Sequence, residues 1–374
     1  MNDPGDEQRA RQTGGRVAEA RLLFDCERLT LARRLRGLRK NQLADSVGTT
    51  PTAIGQYEAG VHRPSERTLV RLALCLGVPV EFFQAGHGSA VLDTAHAHFR
   101  SLRSTTQVER DQALAYGRIA ADVVAALEDL VEFPEVTLPE WPVVPDEIAG
   151  PGPVRAALLA REVMVAAPGP VPHLVRLLET HGVVVIVLPP STERVDAFSV
   201  SAHPRPMVMF NPAKGDYWRN RFDGAHELGH LVMHADAEPG SKIVEDQANR
   251  FAAEFLMPES DIADSLPRTA DWARLAALKS RWGVSMAALL YRARTLKIMK
   301  EVTYRNAMGT MSAQGWRRHE PGVPRPLENP TMLTRAVELS CDSGTGRDQL
   351  AGRARVTRAD LDLLIPGRSR PSLH

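Results

Sequence analysis

The stretch FPEVTLPEWPVVPDEIAGPGP places six prolines between residues 134 and 153. Proline fixes its backbone φ and has no N–H to donate, so neither a helix interior nor a central strand runs through such a stretch. The chain must fold separately on its two sides. Residues 87–153 are expected to be a helical connector followed by a stiff, Pro-rich linker, and 374 residues suffice for two or three domains. The helical part is TQVERDQALAYGRIAADVVAALEDLV (106–131), whose apolar set includes Val108, Leu114, Ile119, Val123, Leu127 and Leu130 at helical spacing. Such a helix either packs on its own domain or supplies a dimer contact.

On the N-terminal side, residues 1–20 are polar and expected to be disordered. Over 21–86, apolar residues recur at helical spacing in short bursts punctuated by Gly48, Gly60 and Gly77. Leu43, Ala44 and Val47 make an apolar face, and Gly48 makes a tight turn. Thr49 or Thr50 caps the next helix, with Pro51 in its first turn, and Ile54 and Tyr57 pack inward. Two short helices joined by a glycine turn are a helix-turn-helix, whose second helix enters the DNA major groove. Its outward residues, Thr50, Thr52, Ala53 and Gln56, are small or hydrogen-bonding and suit base edges and thymine methyls. Around them, Arg33, Arg34, Arg36, Arg39, Lys40, His62, Arg63 and Arg67 are expected to contact phosphates and make affinity salt-dependent.

This segment resembles the Xre/Cro-like repressor domains. The residues that carry the resemblance are the Leu-Ala-x-x-x-Gly helix and TTPTAIGQYEAGVHRPS, with its glutamate-x-glycine and proline-serine pattern. One departure is Arg39-Lys40, where the family usually has Thr-Gln; it favours a phosphate contact over a base contact. The resemblance implies a double-stranded DNA operator bound by a homodimer.

Beyond the prolines, residues 154–300 read as an α+β unit. VRAALLAREVM and VPHLVRLLETHG are helical, with Gly182 as a C-cap. VVVIVLP (183–189) is a buried strand, and DAFSVSA and RPMVMFNP are two more. RFDGAHELGHLVMH follows, then the helix EDQANRFAAEFLMP, stopped by Pro258. In a helix, His226 and His230 lie one turn apart on one face and present two imidazoles to one ion, which suits zinc. Glu227 points toward the open position. Zinc brings the pKa of water near neutrality, so Glu227 would take that proton and return it to a leaving amine. Manganese or iron also suit a site of two histidines and one carboxylate. Gly229 is expected to admit a neighbouring backbone. A third ligand is required; Glu245, Asp246 and Glu254 are the acids on the next helix, and Glu245 lies at its anion-tolerant start. His234, one turn further on, reads as a supporting or packing residue.

H-E-x-x-H alone is a short pattern. Together, H-E-L-G-H and E-x-x-A-N-x-F-A-x-x-x-L-M-P resemble the ImmA/IrrE family of metallopeptidases over about residues 155–300. The resemblance implies zinc held by His226, His230 and Glu245, the last placed by counting back from L-M-P, with Glu227 as general base. It also implies a small domain with a short sheet ahead of the metal helix. The expected fold is multidomain: an all-α helix-turn-helix domain followed by an α+β zincin-like metallopeptidase domain.

Residues 301–374 are expected to be a tail, partly helical or disordered, with helical pieces near 333–340 and 350–364. WGVSMAALLYRAR imitates a helix-turn-helix but reads as core. A net charge of +1 confines any nucleic-acid affinity to a local patch. Cys26, Cys75 and Cys341 form no disulfide framework, and Cys26 and Cys75 are expected in the core; this fits a reducing cytoplasm. No signal peptide or membrane span is read. Three functions remain open: a regulator that cleaves a repressor protein, in trans or itself; a regulator whose peptidase-like domain senses a small ligand such as an acyl-CoA; and a toxin–antitoxin-type scaffold.

Overall fold

The protein is described from a computed structural model over residues 15–85, 97–99, 106–144, 150–165, 167–192, 195, 197–201, 205–211, 216–234 and 241–365. Two compact units result. One comprises Met1–Leu92, Arg103–Glu132 and Leu333–His374; the other comprises Asp93–Leu102 and Phe133–Met332.

Among its described residues the first unit is helical, with an isolated bridge between Phe24 and Gln84. Residues 15–20, expected to be disordered, are helical, and Val17 and Ala20 are buried; 1–14 lie outside the described residues. Helices Cys26–Leu35, Lys40–Val47, Pro51–Glu58 and Glu66–Leu76 follow. Gly48 ends the second of these at φ +71°, a left-handed turn that residues with a Cβ rarely adopt. Helix Gln107–Glu128 packs on Cys26–Leu35, where Arg28 Nη1 reaches Asp122 Oδ2 at 2.5 Å and both side chains are buried. Of its two expected roles, this helix therefore serves its own unit. The helices Arg347–Arg353 and Arg358–Leu364 also pack on it. Asp360 takes a forked pair of hydrogen bonds from Arg36 at 2.8 and 3.0 Å. Cys26 and Cys75, expected in the core, are only half-buried, since each lies at the margin of its helix's apolar face.

The second unit contains a four-stranded sheet, ordered β1-β3-β4-β2. Its strands are β1 (Ala97–Phe99), β2 (Val184–Val187), β3 (Phe198–Val200) and β4 (Met207–Phe210). β2 runs parallel to β4, while β3 is antiparallel to both β4 and β1. β2, β3 and β4 match the three expected strands; β1 lies in the expected connector and was not anticipated. β3 and β4 are buried at every residue, as strands covered on both faces are. Helices Gly152–Met164, Tyr217–Met233 and Lys242–Leu256 pack on one another beside this sheet. Trp282, Val284, Met286, Leu289 and Leu290 are buried in the same core, so the WGVSMAALLYRAR imitation is structural. The helix Glu301–Ala313 continues this unit, burying Ala307 and Met311.

The Pro-rich stretch does not hang free as a linker. Arg205 donates to the Pro134 carbonyl at 2.5 Å, and Thr137 N–H donates to His181 O at 3.3 Å. Gly182, at φ +79°, has room for no Cβ, which would lie 2.7 Å from the Glu135 carbonyl oxygen. Further on, Trp141 N–H bonds Val232 O at 3.0 Å and Val143 N–H bonds Met233 O at 3.3 Å. These carbonyls end the helix Tyr217–Met233 and have no partner within it. Pro142, between the two donors, leaves no N–H unmet.

A candidate metal centre and a candidate nucleic-acid face

Asp216 caps the helix Tyr217–Met233, accepting from the Trp218 and Arg219 N–H groups. The helix is buried from Asp223 through His230, far from a surface helix that carries histidines by chance. Gly229 admits a side chain rather than the expected backbone: a Cβ there would meet the Phe251 ring at 3.0 Å. Phe251 and Phe255, stacked with centroids 5.8 Å apart, press the next helix, Lys242–Leu256, onto it. Its first turn carries Glu245.

These two helices bring His226, His230 and Glu245 together. His226 Nε2 and His230 Nε2 are 3.0 Å apart. Glu245 Oε2 lies 3.4 Å from the first, and its Oε1 lies 3.5 Å from the second. Neither buried carboxylate oxygen has a hydrogen-bond partner among the described residues. Burial opposes ionisation of Glu245, but the facing imidazoles of His226 and His230 outweigh it and hold the carboxyl far below its usual range. Ligand atoms of a tetrahedral zinc site, about 2.0–2.1 Å from the ion, stand roughly 3.3 Å from one another. Two nitrogens and a carboxylate at this spacing fit such an ion.

The other acids behave differently. Glu254 is buried against Arg292, and it accepts from the Glu259 N–H at 3.0 Å. It is a structural ion pair. Glu227 lies outside the ligand cluster; its Oε2 accepts from the buried Ser199 hydroxyl on β3 at 2.7 Å. Sequence reasoning missed Ser199, which has no motif. It also missed Asn249, whose Oδ1 lies 3.1 Å from His226 Nδ1. The i, i+4 spacing from Glu245 to Asn249 was the available signal.

In the first unit, Thr50 caps the recognition helix Pro51–Glu58 by accepting from Ala53 N–H at 3.1 Å. Its hydroxyl thus has a structural task besides any base contact. Thr52 and Gln56 are exposed, Ala53 is half-buried, and Arg39, Lys40 and Arg63 are exposed beside them. Lys40 Nζ sits 3.2 Å from Glu58, and Arg63 donates to Leu22 O at 2.8 Å. Three expected phosphate contacts are instead committed within the unit. Arg33 is buried against Glu58 at 2.5 and 3.0 Å, Arg34 lies 3.3 Å from Asp111, and Arg36 holds Asp360. Arg33 and Arg34 near the end of helix Cys26–Leu35, and Arg36 just past it, each face an acid of the same unit.

Comparison with known proteins matches these two places. A model described as the IrrE N-terminal-like domain matches residues 178–294, and a helix-turn-helix model matches 29–83. The chain is 37% identical over 68 residues to the SPbeta prophage-derived uncharacterized HTH-type transcriptional regulator YonR of Bacillus subtilis. That alignment covers 18% of this chain and 63% of the relative. Among the described residues no helix is long and apolar enough to cross a membrane. The chain carries an Xre-like helix-turn-helix DNA-binding domain together with an ImmA/IrrE-like domain of the M78 peptidase family.

Proposed function

We propose that this protein is a cytoplasmic transcriptional regulator that binds a double-stranded operator as a homodimer. Its second domain uses zinc to hydrolyse a peptide bond in a repressor protein, in trans or in its own chain. The observation that carries the reading is the grouping of His226, His230 and Glu245, with neither buried Glu245 oxygen hydrogen-bonded among the described residues. His226, His230 and Glu245 would hold zinc, which supplies Lewis acidity. Glu227 would accept a proton at its carboxylate and deliver it to the leaving amine. Ser199 orients that carboxylate through its hydrogen bond. Thr52, Ala53 and Gln56 would read base edges, with Arg39, Lys40 and Arg63 on the phosphates and Thr50 fixing the start of the helix. The named relative, an HTH-type regulator, supports the DNA-binding half.

Metal content of purified protein tests the catalytic half, with wild type beside His230→Ala and Glu245→Ala. The expected result is about one zinc per chain, lost in both variants, since a site with only three protein ligands has none to spare. A folded, DNA-binding wild type with no metal would overturn the peptidase reading.

A second reading, ligand sensing, is favoured by a cavity of about 130 Å³ lined by Leu174, Val187, Phe210, Leu327, Arg221 and Glu328. Val187 and Phe210 in its lining end the parallel strands β2 and β4, and the carboxyl ends of strands are a common ligand position in α/β sheets. Operator affinity that changes with short-chain acyl compounds in a metal-free variant would favour it.

A further inference from the structure

We propose that His234 and Gln247 are positioning residues that hold His230 in its metal-binding tautomer, and that the Pro-rich strap anchors them through the backbone carbonyl of Val144. The inference rests on the metal reading above, but its geometry is independent of any ion. A carbonyl oxygen can only accept. Val144 O lies 2.9 Å from Gln247 Nε2, which fixes the amide with its NH2 toward the strap. Gln247 Oε1 therefore faces His234 Nε2 at 2.8 Å, and that nitrogen must carry the proton. His234 Nδ1 is then an acceptor, and His230 Nδ1, 3.1 Å away, must donate to it. A neutral His230 so arranged has a bare lone pair on Nε2, the atom that faces His226 and Glu245. Each bond dictates the next, from the strap inward to the site.

Packing alone does not account for this. His234 and Gln247 are both buried, and a buried polar group that merely filled space would cost free energy unless bonded. Here the hydrogen bonds from the Val144 carbonyl through Gln247 and His234 to His230 run in one direction. The position of the Val144 carbonyl is set in turn by Trp141 and Val143, which bond the last carbonyls of the metal helix. The strap is therefore bound to that helix twice: through its main chain and through the His234–Gln247 relay. Its residues lie outside the 178–294 match to the family model, so this contribution belongs to the chain beyond that domain. Asn249 performs the matching task for His226 in a single step, without reaching the strap.

The test measures zinc affinity by chelator competition, and the visible spectrum of the cobalt-loaded protein, for wild type, His234→Leu, Gln247→Met and Gln247→Glu. Loss of a group that orients a metal-bound histidine typically weakens binding about 10–100-fold. That loss is expected in His234→Leu and Gln247→Met, with an altered cobalt spectrum. Gln247→Glu keeps an acceptor for His234 but leaves the Val144 carbonyl without its donor, so its affinity is expected to fall between those of Gln247→Met and wild type. Melting of the metal-free proteins separates lost affinity from lost fold. Should His234→Leu not fold, Gln247→Met and Gln247→Glu carry the comparison, and equal affinity in those two overturns the positioning role. Wild-type affinity in both His234→Leu and Gln247→Met also overturns it, leaving the metal reading intact. A wild type that binds neither zinc nor cobalt overturns the metal reading itself.

Discussion

Along Tyr217–Met233, every residue from Asp223 to His230 is buried, whereas along Pro51–Glu58 only Ile54 is. Both helices carry the polar side chains proposed to act, yet they treat them oppositely. The helix Tyr217–Met233 removes His226, Glu227 and His230 from water and gives each a fixed neighbour in Asn249, Ser199 and His234. The recognition helix leaves Thr52 and Gln56 exposed and spends its buried contacts on holding itself in place, through Ile54 and the Glu58–Arg33 pair. Chemistry at one atom needs geometry fixed in advance, while reading DNA needs side chains that shed water only on contact. Substitutions should therefore act through different observables at the two helices.

The sharpest separation comes from Glu227→Gln. It should keep metal content and DNA binding while peptide cleavage falls by about 10²–10⁴-fold, the usual contribution of a general base. Cleavage that survives this change would remove Glu227 from its assigned role. Next is Glu58→Ala, which strands the buried Arg33 guanidinium between helices. Chemical denaturation should show a loss of about 3–5 kcal/mol in the first unit, with zinc content unchanged. Stability within experimental error of wild type would mean the pair is not the clamp of the recognition helix. Gln56→Ala combined with Arg63→Ala should weaken operator binding by about 1–3 kcal/mol and reduce its salt dependence, again without touching the metal. An unchanged binding isotherm would move the interface elsewhere. Smallest is Thr50→Ala, a lost helix cap costing about 1 kcal/mol. A much larger drop in DNA affinity than in melting stability would give the Thr50 hydroxyl a direct base contact as well.

What could be read from sequence tracks how local each signal is. Gly48, Thr50 and Pro51 determine a turn and a cap within a few residues, and the helix-turn-helix follows from them. His226 and His230 are legible from the helical period, while Glu245 stands out from Asp246 and Glu254 only through the family resemblance. Ser199 was not, since a serine in a three-residue strand resembles any other, and only the sheet brings it to Glu227. Arg33 and Arg36 were read as phosphate contacts because nothing near them in sequence announces Glu58 or Asp360. The prolines between 134 and 153 point to a stiff linker, but the place of residues 141–143 against the helix Tyr217–Met233 depends on the carbonyls that end that helix. β1 and the helix Glu301–Ala313 carry too little local pattern to be called in advance.

Arg36 and Asp360 are separated by 324 positions, and Arg28 also reaches the Arg355 carbonyl across 327. Order of synthesis thus matters for the DNA-binding half. As the chain emerges, helices 26–76 appear first, but their last partners leave the ribosome after the whole peptidase-like unit has been made. Contacts of such long sequence separation form slowly, because the loop between them must close first. A chain stopped before residue 347 would lack the partner of Arg36. A single cut anywhere in Phe133–Met332 would leave the DNA-binding unit as two pieces joined by side chains alone, turning one hydrolysed bond into a loss of its covalent continuity.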